Sequence, residues 1–176
     1  MRIIAGTLKG RRLLGPKDPG VRPTSDSLRE TLFNVLGPTV AGQRVLDGFA
    51  GTGALGLEAL SRGATHVTFV EQDRRAIEVL TKNVSACGVE DACAIIRDDF
   101  GSGRVGRLGA FDLVLLDPPY DVPDLAPAAT AAAALVAPGG RLVLEHSRRR
   151  ASPEAAGTLQ RTRTLTAGDS ALSFYT

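Results

Sequence analysis

The chain has 176 residues and a mass of 18.4 kDa, with 43% hydrophobic and 23% charged residues, values that suit one globular domain with a core needing no metal or disulfide staple. Its longest apolar run, residues 131–137, is too short to cross a bilayer. The net charge of +2 is unevenly spread: residues 1–29 sum to +5, residues 30–147 to −6 and residues 148–176 to +3.

In chain order, residues 1–15 predict a small basic hairpin, Arg2–Ala5 with Arg11–Leu14, around Leu8-Lys9-Gly10. Arg22-Pro23-Thr24 then leads into a helix over Ser25–Leu36, capped by Thr24 or Ser25, with Leu28, Leu32, Phe33 and Leu36 on one face. From Arg44 to Glu145, short β-branched runs alternate with helical patterns, the signature of βαβ units and a parallel sheet. The expected strands are Arg44–Asp47, His66–Glu71, Cys93–Arg97, Phe111–Asp117 and Gly140–Glu145. Between them, helices are expected at Gly53–Arg62, Asp73–Cys87 and Asp124–Val136, and a surface loop at Gly101–Gly109. Thr158–Leu165 and Ala171–Tyr175 flank Ala167-Gly168-Asp169-Ser170, a hairpin signal. The expected architecture is α/β: a six- or seven-stranded, doubly wound, mostly parallel sheet with an antiparallel C-terminal hairpin and a small N-terminal hairpin-plus-helix extension. A single domain is expected, divided into a basic extension over 1–36 and a core over 37–176.

Met1-Arg2-Ile3-Ile4-Ala5-Gly6 lacks the apolar region and cleavage site of a signal peptide, and a cytoplasmic location is expected. Cys87 and Cys93 have no metal-ligand spacing and are expected to be buried apolar residues; His66 and His146 are expected to be structural, and no metal is expected. Basic ends around an acidic middle suit a protein that meets a polyanion at its rim and a small cation inside. Solvated arginine-rich termini are the plainer alternative.

Asp47-Gly48-Phe49-Ala50-Gly51-Thr52-Gly53-Ala54-Leu55-Gly56 follows the first strand, and Gly51, Gly53 and Gly56 spell GxGxxG. With Glu71 at the end of the next strand, this reads literally as a dinucleotide fingerprint. Asp47 argues against it, because a carboxylate at the mouth of the loop repels a diphosphate and attracts a cationic head group. S-adenosyl-L-methionine is such a ligand. Asp47 would take its amino-acid end, the backbone of Phe49, Ala50, Gly51, Thr52 and Gly53 would approach closely, and Glu71, followed by Gln72, would accept the ribose hydroxyls. Asp98 or Asp99 would hold the adenine amine, with Phe100 against the ring.

Asp117-Pro118-Pro119-Tyr120 ends the fourth expected strand on the same sheet edge. Two prolines fix an extended turn and leave carbonyls free of ladder bonds. Asp117 and the Pro118 carbonyl can accept both N–H bonds of an exocyclic amine, which aims its lone pair at a methyl donor. Tyr120 can stack on the base that carries the amine. Positioning and electrostatics would supply most of the catalysis.

Asp47–Gly56 resembles motif I of class I S-adenosylmethionine-dependent methyltransferases, and Asp117–Tyr120 resembles the (D/N)PPY motif of amino-methyltransferases. The chain as a whole resembles the RsmD-type family, through Met1–Gly6, Arg22-Pro23-Thr24, Asp26, Arg29–Asn34, Phe49–Leu60 and Asp117–Tyr120. That resemblance implies methylation of a guanine N2 amine in small-subunit (16S) ribosomal RNA, either naked or in an assembling particle, by a monomer. It also implies that Arg2, Lys9, Arg11 and Arg12 sit on phosphates, with Arg22, Thr24 and Arg29 nearer the target nucleotide. Gly48 stands where the family has a bulkier apolar residue. The remaining alternatives are methylation of a DNA adenine amine or a protein glutamine amide, a dinucleotide-dependent oxidoreductase, and a non-catalytic RNA-binding module.

Overall fold

A computed structural model describes residues 1–15, 26–100, 105, 108–120 and 122–176. Helix α1 spans Asp26–Leu36, and a short 3-10 turn over Gly37–Val40 delivers the chain to strand β1, Arg44–Gly48. Helix α2 (Ala54–Ser61), strand β2 (His66–Glu71), helix α3 (Arg74–Cys87) and strand β3 (Cys93–Arg97) complete the first half. Strand β4 (Phe111–Leu116), helix α4 (Ala126–Ala133) and strand β5 (Val136–Ser147) follow. Strands β6 (Ala155–Ala156), β7 (Leu159–Ala167) and β8 (Ser170–Tyr175) close the chain.

The strands form one sheet in the order β3-β2-β1-β4-β5-β8-β7-β6. β1 to β5 pair in parallel and β8 joins β5 antiparallel, so the expected doubly wound sheet with an antiparallel hairpin is what forms. Its eight strands exceed the six or seven expected because β6, only two residues long, pairs with β7. The order reverses between β1 and β4, so the carboxyl ends of those strands open the crevice where ligands bind in open α/β sheets.

Sequence alternation divides the core into two layers, as expected for parallel strands covered on both faces. Val45, Phe69, Leu113, Leu115 and Val143 meet α1, α2 and α3 on one face. Leu46, Val70, Val114, Leu116 and Leu144 meet Phe100 and α4 on the other. Helix α4 ends at Ala133, short of the expected Val136, because Val136 has already joined Phe111 in the β4–β5 ladder. Helix α3 is bounded as its sequence dictates: the Asp73 carboxylate accepts the Ala76 N–H at 2.8 Å, and Gly88 takes the left-handed C-terminal position.

The N-terminal segment forms the expected hairpin, though a short one. Its limbs share one antiparallel bridge, Arg2 with Arg12, flanked by bonds from Ile3 N–H to Arg11 O at 3.0 Å, Gly10 N–H to Ile3 O at 2.9 Å and Leu13 N–H to Met1 O at 3.1 Å, and side chains of α2 and α3 anchor it. Glu58, buried on α2, accepts the Ile4 N–H at 2.8 Å and the Ala5 N–H at 3.1 Å, and also the Arg62 Nε–H at 2.7 Å. Ser61 Oγ accepts the Leu8 N–H. Asn83 on α3 accepts the Leu14 N–H and donates to the carbonyls of Leu14 and Thr52. One buried amide thereby ties the end of the basic segment to the glycine loop.

Candidate methyl-transfer site

The loop after β1 is built by backbone that folds back on its own strands. Ala50 N–H donates to Val70 O at 3.0 Å, and Gly53 N–H donates to Ala50 O at 2.7 Å. Phe49 and Gly51 both have positive φ, 61° and 54°, a conformation Gly51 adopts without a Cβ penalty. Gly56 is required by space instead. A Cβ there would lie 2.3 Å from Phe69 Cε1, so its absence lets α2 pack directly on β2.

Both acids of this half are turned toward the loop. Asp47 is buried, and its Oδ2 accepts the Gly56 N–H at 2.8 Å, while its Oδ1 is buried without a hydrogen bond. Burial holds the Asp47 carboxyl well above the usual range; the Gly56 bond opposes that rise, and Asp117 and Glu71 add to it. Glu71 Oε2 accepts the Gly51 N–H and Oε1 the Asp73 N–H, each at 2.8 Å. The two oxygens expected to face ribose therefore already brace the loop, each with a lone pair to spare. Thr52 is half-buried, Gln72 is exposed with its carbonyl accepting from Arg97, and Asp98 Oδ1 accepts the Asp99 N–H.

Phe100 corrects an expectation. Rather than lying open for an adenine ring, it is 2% exposed and packs in the core, tilted against Phe49 with ring centroids 5.5 Å apart. Gly48 explains this. A Cβ at Gly48 would stand 2.6 Å from Leu116 Cδ2 and 2.9 Å from Phe100 Cε2, so the departure from the family pattern makes the room that Phe100 fills.

The second half of the edge lies at β4 and β5. Asp117 N–H reaches Gly48 O at 3.5 Å, which joins the two halves. Pro119 O accepts the Val122 N–H, whereas among the described residues no hydrogen bond forms to Pro118 O. Tyr120 is 44% exposed, with its Oη 2.6 Å from Ser170 Oγ and donating to Glu145 Oε1 at 3.3 Å. Burial, first of all, raises the Tyr120 phenol. Arg150 donates to the carbonyls of Tyr120 and Pro123, which assigns one member of Arg148-Arg149-Arg150 to holding this loop.

Sequence reasoning missed Glu145, Glu58 and Asn83, for which no motif or spacing gave a signal. It also assigned no partner to His146, which is buried and bonds Ser173 Oγ at 2.9 Å and Ser147 O at 3.0 Å. Cys87 is buried as expected, while Cys93 is half-buried, its thiol pushed up to about 12 mainly by burial.

The basic residues separate into two groups. Arg2, Lys9, Arg11 and Arg12 are exposed, although Arg11 also donates to Ala86 O at 2.7 Å. Arg29 is 0% exposed, so its expected place on RNA is corrected. Its Nη2 donates to Arg2 O at 2.7 Å and to Asp26 Oδ1 at 2.8 Å, because the residue falls on the buried stripe of α1 beside Leu28, Leu32 and Phe33. Burial lowers the Arg29 guanidinium, and Asp26 and Glu58 oppose that shift. Arg22 and Thr24 lie outside the described residues, as do the Thr24 and Ser25 caps and most of the expected Gly101–Gly109 loop. Among the described residues no helix is long and apolar enough to cross a membrane.

Comparison with known proteins agrees with this fold. The family model described as "Conserved hypothetical protein 95" matches residues 1–176. A Bacillus subtilis protein named "Putative rRNA methyltransferase YlbH" is 36% identical over 180 residues, covering 99% of this chain and 98% of that protein. The Escherichia coli "Ribosomal RNA small subunit methyltransferase D" is 42% identical over 120 residues, which are 68% of this chain and 60% of that protein. Among solved structures, "Putative methyltransferase yhhF from Escherichia coli" superposes with a TM-score of 0.86 at 31% identity, covering 99% of this chain and 96% of that one. The fold is that of class I methyltransferases, and the chain belongs to the RsmD-type family.

Proposed function

We propose that the protein methylates the exocyclic N2 amine of a guanine in small-subunit ribosomal RNA, with S-adenosylmethionine as methyl donor. One observation carries the chemistry. Four carboxyl groups, Asp47, Glu71, Asp117 and Glu145, converge on one sheet edge with Tyr120, which among the described residues is the exposed aromatic side chain there and follows Asp117-Pro118-Pro119. Such an edge repels a diphosphate and suits a ligand with a sulfonium and an α-ammonium.

The residues present fit that donor. The buried Asp47 Oδ1 that lacks a hydrogen bond is satisfied by an ammonium, and Glu71 keeps a lone pair on each oxygen for ribose hydroxyls. Phe49, Ala50, Gly51, Thr52 and Gly53 offer the close backbone, with Gln72 and Asp98 or Asp99 toward the nucleoside end. When bound, the donor supplies an electrophilic methyl group. The chain does the rest by placement: Asp117 and the Pro118 carbonyl accept the two N–H bonds of the amine, Pro119 holds the turn, and Tyr120 covers the base face. Exposed Arg2, Lys9, Arg11 and Arg12 contact phosphates, together with Arg22 and Thr24. A monomer of one domain, acting in the cytoplasm, completes the reading.

The names of the Bacillus subtilis and Escherichia coli relatives support the ribosomal substrate. The deciding experiment incubates the protein and labelled S-adenosylmethionine with small ribosomal subunits, and with naked 16S RNA, from cells lacking the protein. Label is expected on a guanine N2. Label on adenine or on protein, or tight NAD binding without donor binding, overturns the reading.

A further inference from the structure

Glu145 belongs to no motif, and its place follows from strand register. Leu115 of β4 pairs with Val143 of β5, so two residues further along each strand Asp117 and Glu145 come level on the same face. From the other side, β8 brings Leu172 opposite Glu145 and Ser170 opposite Ser147. Glu145 is 4% exposed; its Oε1 accepts from the Tyr120 hydroxyl, and its Oε2 is buried with no hydrogen-bond donor in place. A carboxyl so placed costs stability that an apolar residue would not. Such a cost is characteristic of residues kept for a site rather than for packing.

We propose that Glu145 is a positioning residue for the transfer step, fixing the Tyr120 ring through its hydroxyl and setting the lie of the Asp117 carboxylate beside it. This rests on the methyl-transfer reading above and names a residue outside the Asp117–Tyr120 motif. Burial and the adjoining Asp117 push the Glu145 carboxyl up to about 8, and the nearby hydroxyls of Ser170 and Tyr120 oppose that rise. At neutral pH the pair therefore favours keeping a proton between its two carboxyls, which limits the negative charge where an amine N–H needs an acceptor. The groups facing Glu145 are Asp117 at the end of β4, Tyr120 in the loop beyond it and Ser170 on β8. His146, next along β5, turns to the opposite face, where it bonds Ser173. Once Glu145 ionises, two negative carboxylates stand side by side, and their repulsion disturbs both Asp117 and the hydroxyl-held ring.

The test compares wild type, Glu145→Gln and Glu145→Ala across pH on small ribosomal subunits. Glu145→Gln is expected to keep kcat at pH 7 within about threefold and to lose the alkaline decline of the wild type. Glu145→Ala is expected to lower kcat about tenfold or more while the KM for S-adenosylmethionine stays put. Equal losses in both variants, or an unchanged alkaline limb in Glu145→Gln, overturn the proposal. If Glu145→Ala fails to fold, the Glu145→Gln profile decides alone. A second readout needs no activity. The chain has two tyrosines, so in a Tyr175→Phe background the ultraviolet titration reports Tyr120 alone. Adding Glu145→Gln is expected to shift that titration to lower pH, because an ionised neighbour that raises the phenol is gone. An unmoved midpoint overturns the contact. A wild type inactive on ribosomal RNA defeats the functional reading instead, and the tyrosine titration still judges the contact.

Discussion

The two halves of the sheet edge treat their acids in opposite ways. At β1 and β2, Asp47 and Glu71 meet backbone N–H groups of Gly51, Gly56 and Asp73, so each acid is braced by the loop it serves. At β4 and β5, Asp117 and Glu145 meet each other and the hydroxyls of Tyr120 and Ser170. Backbone amides fix the first pair in place, whereas in the second pair the adjoining Asp117 adds to the rise of the buried Glu145 carboxyl. The contrast fits a donor-binding half built from backbone and a transfer half built from side chains.

The contrast breaks most severely at Asp117. Asp117→Ala is expected to lower turnover about 10²–10³-fold, with the donor dissociation constant nearly unchanged by calorimetry. Near-normal turnover would remove Asp117 from the transfer half. On the other side, Gly56→Val drives a branched side chain into Phe69 and Val67, and is expected to cost about 1–3 kcal/mol of stability in denaturant unfolding together with a loss of donor binding. Full donor affinity in that variant would show that the loop tolerates displacement of α2. Glu71→Ala removes the brace on Gly51 and is expected to weaken the donor by about 1–1.5 kcal/mol, roughly tenfold, at unchanged kcat. A fall in kcat instead would mean that the two halves are coupled.

The smallest effect concerns pH, and it has the same sign in both halves. Glu145 and Asp47 both hold their protons more tightly folded than unfolded, so their contribution to stability is complete at acid pH and is lost as pH rises. For Glu145 the loss runs from the ordinary carboxyl value of 4.5 to about 8. His146, lowered by burial, acts in the reverse direction but only while it titrates in the unfolded chain, near and below 6.5. Between pH 7 and 8, stability is expected to fall by about 1 kcal/mol per unit for each proton difference that persists, and the slope should flatten in Glu145→Gln. Saturating donor should also flatten the Asp47 share, since an ammonium favours the ionised acid. A Glu145→Gln slope equal to that of the wild type would contradict the shared proton.

The same division governs the polar residues outside the crevice. The family resemblance placed Arg29 near the target nucleotide with Arg22 and Thr24, yet α1 buries it against Arg2 O and Asp26. Composition counts a charge without saying which face of a helix carries it, and Arg29 sits one position from Leu28 on the buried stripe. Glu58 and Asn83 were illegible for a related reason. Their partners lie 54 and 69 residues away, Ile4 and Leu14, in a hairpin whose sequence signalled its own pairing but not its docking on α2 and α3.

The sequence by itself determined the alternation of strands and helices, the glycine loop with Asp47 and Glu71, and the Asp117-Pro118-Pro119-Tyr120 turn. These are local properties: periodicity, φ requirements and strand ends are written within about ten residues of one another. Only the tertiary structure decided that Phe100 fills the space above Gly48, that Arg29 is a core residue, and that Glu145 stands level with Asp117. Each depends on the register between strands or the rotation of a helix about its axis, and both are set by packing among segments far apart in the chain.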